Sequence, residues 1–175
     1  MKTTLTSLAA TAALSLTMIS GANADSFGDC ASTNAVTFPG SIVDAAIATP
    51  ALSTLVDLVV AADLADALAT TDNITVFAPT NEAFDALPAE LVDVVVGNTE
   101  LLTAVLTYHV TTGQQDPRKM SAKIATRRDT LNGQTVYFGR ANGEARVNMA
   151  GVSCEAVKTD NGTVWVIDSV LLPAL

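Results

Sequence analysis

Histidine occurs once in this 175-residue chain, as His109, and cysteine twice, as Cys30 and Cys154. A thiolate activated by the imidazole is the one nucleophilic arrangement they allow, and nothing nearby in sequence orients the base. So few nitrogen and sulfur ligands exclude a zinc cluster or an iron–sulfur centre. Carboxylates are plentiful. Glu82 with Asp85, or Glu90 with Asp93, would share a helix face at i, i+3 spacing, where an acid–base pair could form, although surface acids adopt this spacing routinely. No G-x-S-x-G, phosphate-binding glycine loop, H-E-x-x-H or acidic calcium loop is present. The residues predict no enzyme, no cofactor and no metal. His109, beside Val110 on an apolar strand, reads as a core residue whose ring nitrogens are satisfied by its neighbours.

The composition, 49% hydrophobic and 15% charged, fits one domain. A net charge of −9 argues against nucleic acid as a partner. The charge is also segregated. Residues 25–113 hold 12 acids and no Lys or Arg, whereas residues 114–175 hold 6 acids and 8 bases. Five of those bases, Arg118, Lys119, Lys123, Arg127 and Arg128, fall within eleven residues. Two readings stand: a strand edge kept soluble by charge, or a docking patch for an anionic polysaccharide, lipid or protein face. The same asymmetry permits weak head-to-tail self-association of an otherwise monomeric protein.

Residues 1–24 read as a secretory signal peptide. Lys2 precedes an apolar run from Leu5 to Ile19, and Ala22-Asn23-Ala24 supplies the small residues before a cut after Ala24. A run of about 15 apolar residues is too short to span a bilayer, and no second one follows. Phe27-Gly28-Asp29 is not the small apolar triplet that precedes a lipidated cysteine. The mature chain is therefore expected to be secreted or periplasmic. In an oxidising compartment Cys30 and Cys154 are expected to pair, tying the lead-in (25–36) to a late strand. Chain entropy assigns so long a loop an upper figure of roughly 4–5 kcal/mol.

The elements that must position these residues divide the chain in two. Ser41 with Asp44 has capping-box spacing, Thr49-Pro50 suits a helix start, and Leu52, Leu55, Val56 and Val59 form one apolar stripe. Asp63 with Asp66 repeats the capping pattern. Asn73 to Ala78 reads as a strand closed by Pro79, and Thr80 or Asn81 can cap the helix that follows. Two more helices run from Pro88 to Val95 and through Leu101, Leu102, Val105 and Leu106. The chain then turns extended at Tyr108-His109-Val110. Beyond residue 126, Asn-Gly pairs at 132, 142 and 161 punctuate short strands. In the last strand Val164 and Val166 oppose Trp165 and Ile167, so both faces are buried, and the indole N–H needs a partner. Asp168 reads as a turn or cap acceptor. A helical half followed by a β half predicts an α+β fold. Two N-x-T sequons, at Asn73 and Asn161, fall beside strands.

Three stretches in order resemble the fasciclin domain family. Thr75-Val76-Phe77-Ala78-Pro79-Thr80-Asn81-Glu82-Ala83-Phe84 is similar to its first block. Leu102 to His109 ends in a Tyr108-His109 pair like that of the family, and Asn161 to Pro173, with Asp168, is similar to the last block. The likeness covers residues 37–175, and a single secreted domain of this size is similar in layout to the small exported bacterial members, including the mycobacterial antigens. It implies a β-sandwich wedge of about seven strands with helices packed along one side. It also implies a secreted, non-enzymatic adhesion or binding module for a cell-surface protein, glycan or lipid. A carrier of a lipid or other apolar ligand is the alternative reading, and an unrecognised hydrolase a third. Trp165 stands where the family often carries histidine. The integrin recognition attributed to the Tyr-His region of animal members does not transfer to Tyr108 and His109.

Overall fold

The computed structural model describes residues 33–119, 126–141 and 143–174. Residues 1–24, read above as a signal peptide, and Cys30 and Lys123 lie outside the described residues.

Helices come first. Ser41 caps α1 (Ile42–Ile47): its Oγ accepts the Asp44 N–H at 3.2 Å, and the Asp44 carboxylate accepts the Ser41 N–H at 2.8 Å. Hydrogen bonds from the Ser41 side chain and backbone hold the Asp44 carboxyl below the usual carboxylate range. A short 3₁₀ turn (Pro50–Leu52) leads into α2 (Ser53–Ala61), whose Leu55 and Val59 are buried together with Leu52. The Asp63–Asp66 pair does not cap α3 (Ala65–Thr70). Asp63 instead ends α2 at φ 57, with its N–H on the Val60 carbonyl and the Leu64 N–H on Val59, which is a Schellman stop. Aspartate tolerates this left-handed conformation better than most side chains.

After β2 (Ile74–Pro79) come α4 (Asn81–Asp85), α5 (Ala89–Val96), α6 (Thr99–Tyr108) and β3 (Val110–Thr112). Asn98 caps α6 by accepting the Glu100 and Leu101 N–H groups. The β half holds β4 (Thr126–Asp129), β5 (Thr135–Ala141), β6 (Glu144–Val147), β7 (Ala150–Lys158) and β8 (Gly162–Ile167). Strand order is β3-β2-β8-β7-β6-β5-β4, with the two-residue β1 (Val36–Thr37) parallel to β7. Gly133 and Gly143, at φ 87 and 84, turn the β4–β5 and β5–β6 hairpins.

The α+β class holds, with helices against one side, and the strands are hydrogen-bonded in one continuous, curled order. An antiparallel bridge between Thr111 and Thr130, with the Leu131 N–H on the Val110 carbonyl at 2.8 Å, brings the sheet's two ends together, so it is nearly barrel-shaped. The long β7 makes this closure possible. A register shift between Val152 and Ala156 bends it, and it pairs with β6 at one end and β8 at the other.

Alternation along the central strands divides the core. Ile74, Val76, Ala78 and Val164 pack under the helices, whereas Phe77, Trp165 and Ile167 point into the curl with Val136, Phe138 and Val147. Phe77 and Phe138 meet as a tilted pair at 5.6 Å. β2 and β8 run parallel and so close at Gly162 that a Cβ there would strike the Ile74 carbonyl oxygen and approach Ile42 Cδ1 to 2.7 Å. Only glycine fits.

Candidate functional site

The residues singled out in the first block are joints of the fold. Thr75 is fully buried and donates its hydroxyl to the Gly113 carbonyl at 2.7 Å, while accepting the Gln115 N–H at 2.9 Å. Pro79 ends β2, and Thr80 caps α4 by accepting the Ala83 N–H. Asn81 does not cap its own helix. Its Oδ1 accepts the Thr54 N–H at 3.0 Å and its Nδ2 donates to the Pro50 carbonyl and Ser53 Oγ, so it fastens the start of α2 to the end of β2. Phe84 is half-buried beside an apolar cleft. Tyr108 donates its hydroxyl to the Thr135 carbonyl and accepts from Asn148 Nδ2. Asp168 accepts the Gly151 N–H at 2.8 Å and the Ser169 hydroxyl at 2.9 Å, as its reading as a turn acceptor requires.

His109 is not on a strand: it caps the C-terminus of α6 in the αR region, 2% exposed. The α6 backbone runs one residue further than the β-branched flank suggested, because Tyr108 and His109 still fit the helix's buried face. The Leu171 N–H donates to Nε2 at 2.9 Å, so Nε2 carries no proton. Nδ1 therefore bears the proton and donates it to the Val105 carbonyl at 2.8 Å. Burial drives the imidazole pKa down to about 4, against the opposing effect of the Val105 bond. Both nitrogens are committed to backbone, which leaves neither for proton transfer to a substrate. Among the described residues no cysteine is free, and Glu82, Asp85, Glu90 and Asp93 are all exposed.

The basic segment splits on folding. Arg118 leaves the surface: its side chain is 5% exposed, its guanidinium lies 4.7 Å from the Trp165 ring centre, and it grips Asp116 through Nε and Nη2, both at 3.0 Å. Its Nη1 also donates to the Thr33 and Cys154 carbonyls. Burial pushes the Asp116 carboxyl up, but hydrogen bonds and charge from Arg118, with Lys119's charge, outweigh it and hold the acid below its usual range. Lys119 is open to solvent, and Arg127 and Arg128 are exposed on the edge strand β4, where Arg128 Nε donates to Gln115. The indole N–H of Trp165 donates to the Gln115 carbonyl at 2.8 Å.

Asn161 was legible only as a turn and a sequon. It is 7% exposed, and its Nδ2 donates to the Leu68, Ala69 and Thr71 carbonyls while its Oδ1 accepts the Ile42 N–H. One amide thus closes the end of α3 and the start of α1.

Two concave features stand out. A cleft among α2, α4, α5, α6 and Val170 is wholly apolar, includes a wall of His109, and encloses about 30 Å³. A polar cavity of about 590 Å³ lies between residues 33–35, the loop from Gln114 to Lys119, and strands β7 and β8. Among the described residues no group of acids, histidines and cysteines is placed to hold a metal.

The Fasciclin domain family model matches residues 50–173. The immunogenic protein MPB70 of Mycobacterium bovis is 46% identical over 99 residues, which cover 57% of this chain and 49% of that protein. The cell surface glycolipoprotein MPB83 of the same species is 44% identical over 99 residues, 57% of this chain and 43% of its own. The chain thus spans about half the length of these mycobacterial relatives. Protein sll1483 of Synechocystis is 40% identical over 138 residues, 77% of this chain and 74% of that protein. Among solved structures, a FAS1 domain pair from the insect cell adhesion molecule Fasciclin I matches with a TM-score of 0.55 and 22% identity, over 69% of this chain and 45% of that one.

Proposed function

This chain belongs to the fasciclin domain family, and from that premise we propose that it is an exported, non-enzymatic binding module that attaches to a cell-surface or extracellular component. The observation that carries this reading is the separation of charge. Residues 25–113, the helical half, hold no Lys or Arg, whereas Lys119, Arg127 and Arg128 of the β half stand exposed. An anionic partner is repelled by the first and drawn to the second. Family membership and the cell-surface and adhesion relatives support an extracellular setting. The N-terminal signal reading agrees with it, and no helix among the described residues is long and apolar enough to cross a membrane. The carrier alternative has less room: the apolar cleft beside His109 encloses about 30 Å³, and a second apolar cavity, between Leu64, Leu68, Leu106, Val110 and Leu131, about 200 Å³, both below the roughly 300–1,000 Å³ of small-molecule sites.

Replacing Arg127 and Arg128 together with Gln is expected to slow association with cells or anionic glycans severalfold and leave the melting temperature unchanged, because rim charges act on the on-rate. Surface plasmon resonance over a salt series measures this, since such contacts are screened within about 8 Å at physiological ionic strength. Binding indifferent to salt and to both substitutions would reduce the segment to a solvated edge. Sedimentation across the same series separates partner binding from self-association.

Export also carries a covalent expectation. Cys30 and Cys154 are proposed to pair, anchoring the lead-in beside the Arg118 carbonyl contacts. Intact-mass measurement of exported protein after alkylation without reductant should find no label, and two labelled thiols would overturn the pairing.

A further inference from the structure

We propose that the polar cavity between β7, β8 and the Gln114–Lys119 loop is a binding site for a polyhydroxylated carboxylate, the chemistry of an acidic sugar. This inference rests on the binding-module reading and deepens it by naming a ligand class. The cavity's volume of about 590 Å³ falls in the range of small-molecule sites, roughly 300–1,000 Å³.

Strand register builds its wall. Lys158 of β7 pairs directly with Thr163 of β8, and Ala156 with Trp165, so alternate residues bring all four to one face. Ala156, the smallest of the four, leaves the space beside the indole open. Thr163 lines the cavity, and its hydroxyl, which bonds no protein group among the described residues, is open to the cavity and not sealed in the core. A hydroxyl so placed can both donate to and accept from a ligand.

Charge selects the ligand. Among the described residues Asp116 is the only acid on the wall, and it is shared by Arg118, through two hydrogen bonds, and Lys119, whose ammonium lies 3.4 Å away. Three cations, Arg118, Lys119 and Lys158, thus face one carboxylate, so a further carboxylate is attracted, and Lys158 makes no ion pair among the described residues. The remaining donors and acceptors, Asn34, Gln114 and the Thr163 hydroxyl, are neutral and suit ligand hydroxyls. A bare inorganic anion would use the lysines and leave the rest unpaired. Arg118, itself on the wall and held against the Trp165 ring, keeps the wall rigid before a ligand arrives.

The test is titration of the intact exported chain with sodium glucuronate, glucose and inorganic phosphate, by calorimetry and by amide NMR. Glucuronate is expected to shift the Lys158, Thr163 and Gln114 amides and to bind at least about tenfold tighter than either control, the worth of one charge-assisted hydrogen bond. Lys158→Gln and Thr163→Val should each weaken glucuronate with unchanged melting temperature, and the Arg127→Gln/Arg128→Gln pair should not. Equal binding of phosphate, absence of shifts at those amides, or indifference to Lys158→Gln would overturn the proposal. Glucuronate binding without any retention of cells or glycans would sink the docking reading and leave the cavity standing. Retention without glucuronate binding would do the reverse.

Discussion

Replacing Asn161 with Ala is expected to destabilise the fold by about 4 kcal/mol, since orphaned buried polar groups cost roughly 1–3 kcal/mol each and only some can regain water. The amide serves two helices at once: it accepts the Ile42 N–H at 2.9 Å, and its nitrogen reaches the Leu68 and Thr71 carbonyls at 2.7 and 2.9 Å. Alanine leaves all of these in a site that is 7% exposed. For a domain of this size the loss corresponds to a fall of about 10 °C in melting temperature. Asn161→Asp discriminates the mechanism. It keeps an acceptor for Ile42 but sets a carboxylate against carbonyl oxygens, so it should be as damaging as Ala at neutral pH and milder once protonated. Urea unfolding at pH 7 and pH 4 provides both numbers, and a loss under 1 kcal/mol for the Ala variant would refute the anchoring role. The same burial keeps the Asn161 sequon from being modified in the folded protein.

Asn161 also marks the boundary of what the sequence discloses. An Asn-Gly pair between two β-branched runs announces a hairpin, and the β7–β8 turn is there. That its side chain would reach back to residues 42 and 68–71 depends on the parallel pairing of β2 with β8, a contact between distant segments. Local signals succeeded where the partner lies within a few residues. The Ser41–Asp44 box, the Thr80 cap, the opposed faces of Val164–Ile167 and the need of Trp165 for a hydrogen-bond partner all proved correct.

They failed where one pattern serves two geometries. Asp63 and Asp66 have capping spacing, yet Asp63 belongs to the end of the preceding helix because its backbone is left-handed. Arg118 sits in a run of bases that reads as uniformly solvated, and only the tertiary placement of Trp165 and Asp116 draws it inward. The closing of the sheet was equally hidden. The two-residue β1 and four-residue β4 are too short to carry a period, and the Thr111–Thr130 bridge joins segments that nothing local connects. Of the candidate site, the exposed cations Arg127 and Arg128 were visible in sequence, whereas the cavity beside Thr163 and Lys158 emerged only from strand register.

Acid should loosen this protein through His109 before its carboxylates respond. The folded imidazole titrates near 4, lowered by burial, whereas in the unfolded chain it titrates near its free value of about 6.5. Between those values the unfolded state binds a proton that the native state refuses, so stability is present above about pH 6.5 and declines as pH falls toward 4. A difference of that size is worth at most about 3 kcal/mol. Below pH 4 the folded imidazole also protonates and its contribution levels off. There the lowered Asp44 and Asp116 begin to matter, since the stability they supply is lost only as pH falls through their depressed folded values. His109→Ala is expected to cost about 1–3 kcal/mol at pH 7 by stranding the Leu171 N–H and Val105 carbonyl. It should also flatten the stability profile between pH 6.5 and 4. Denaturant midpoints across that interval, for wild type and variant, separate the two effects. An identical slope in both proteins would show that some other group senses the acid, and an unchanged midpoint with lost binding would return His109 to the functional surface from which its hydrogen bonds remove it.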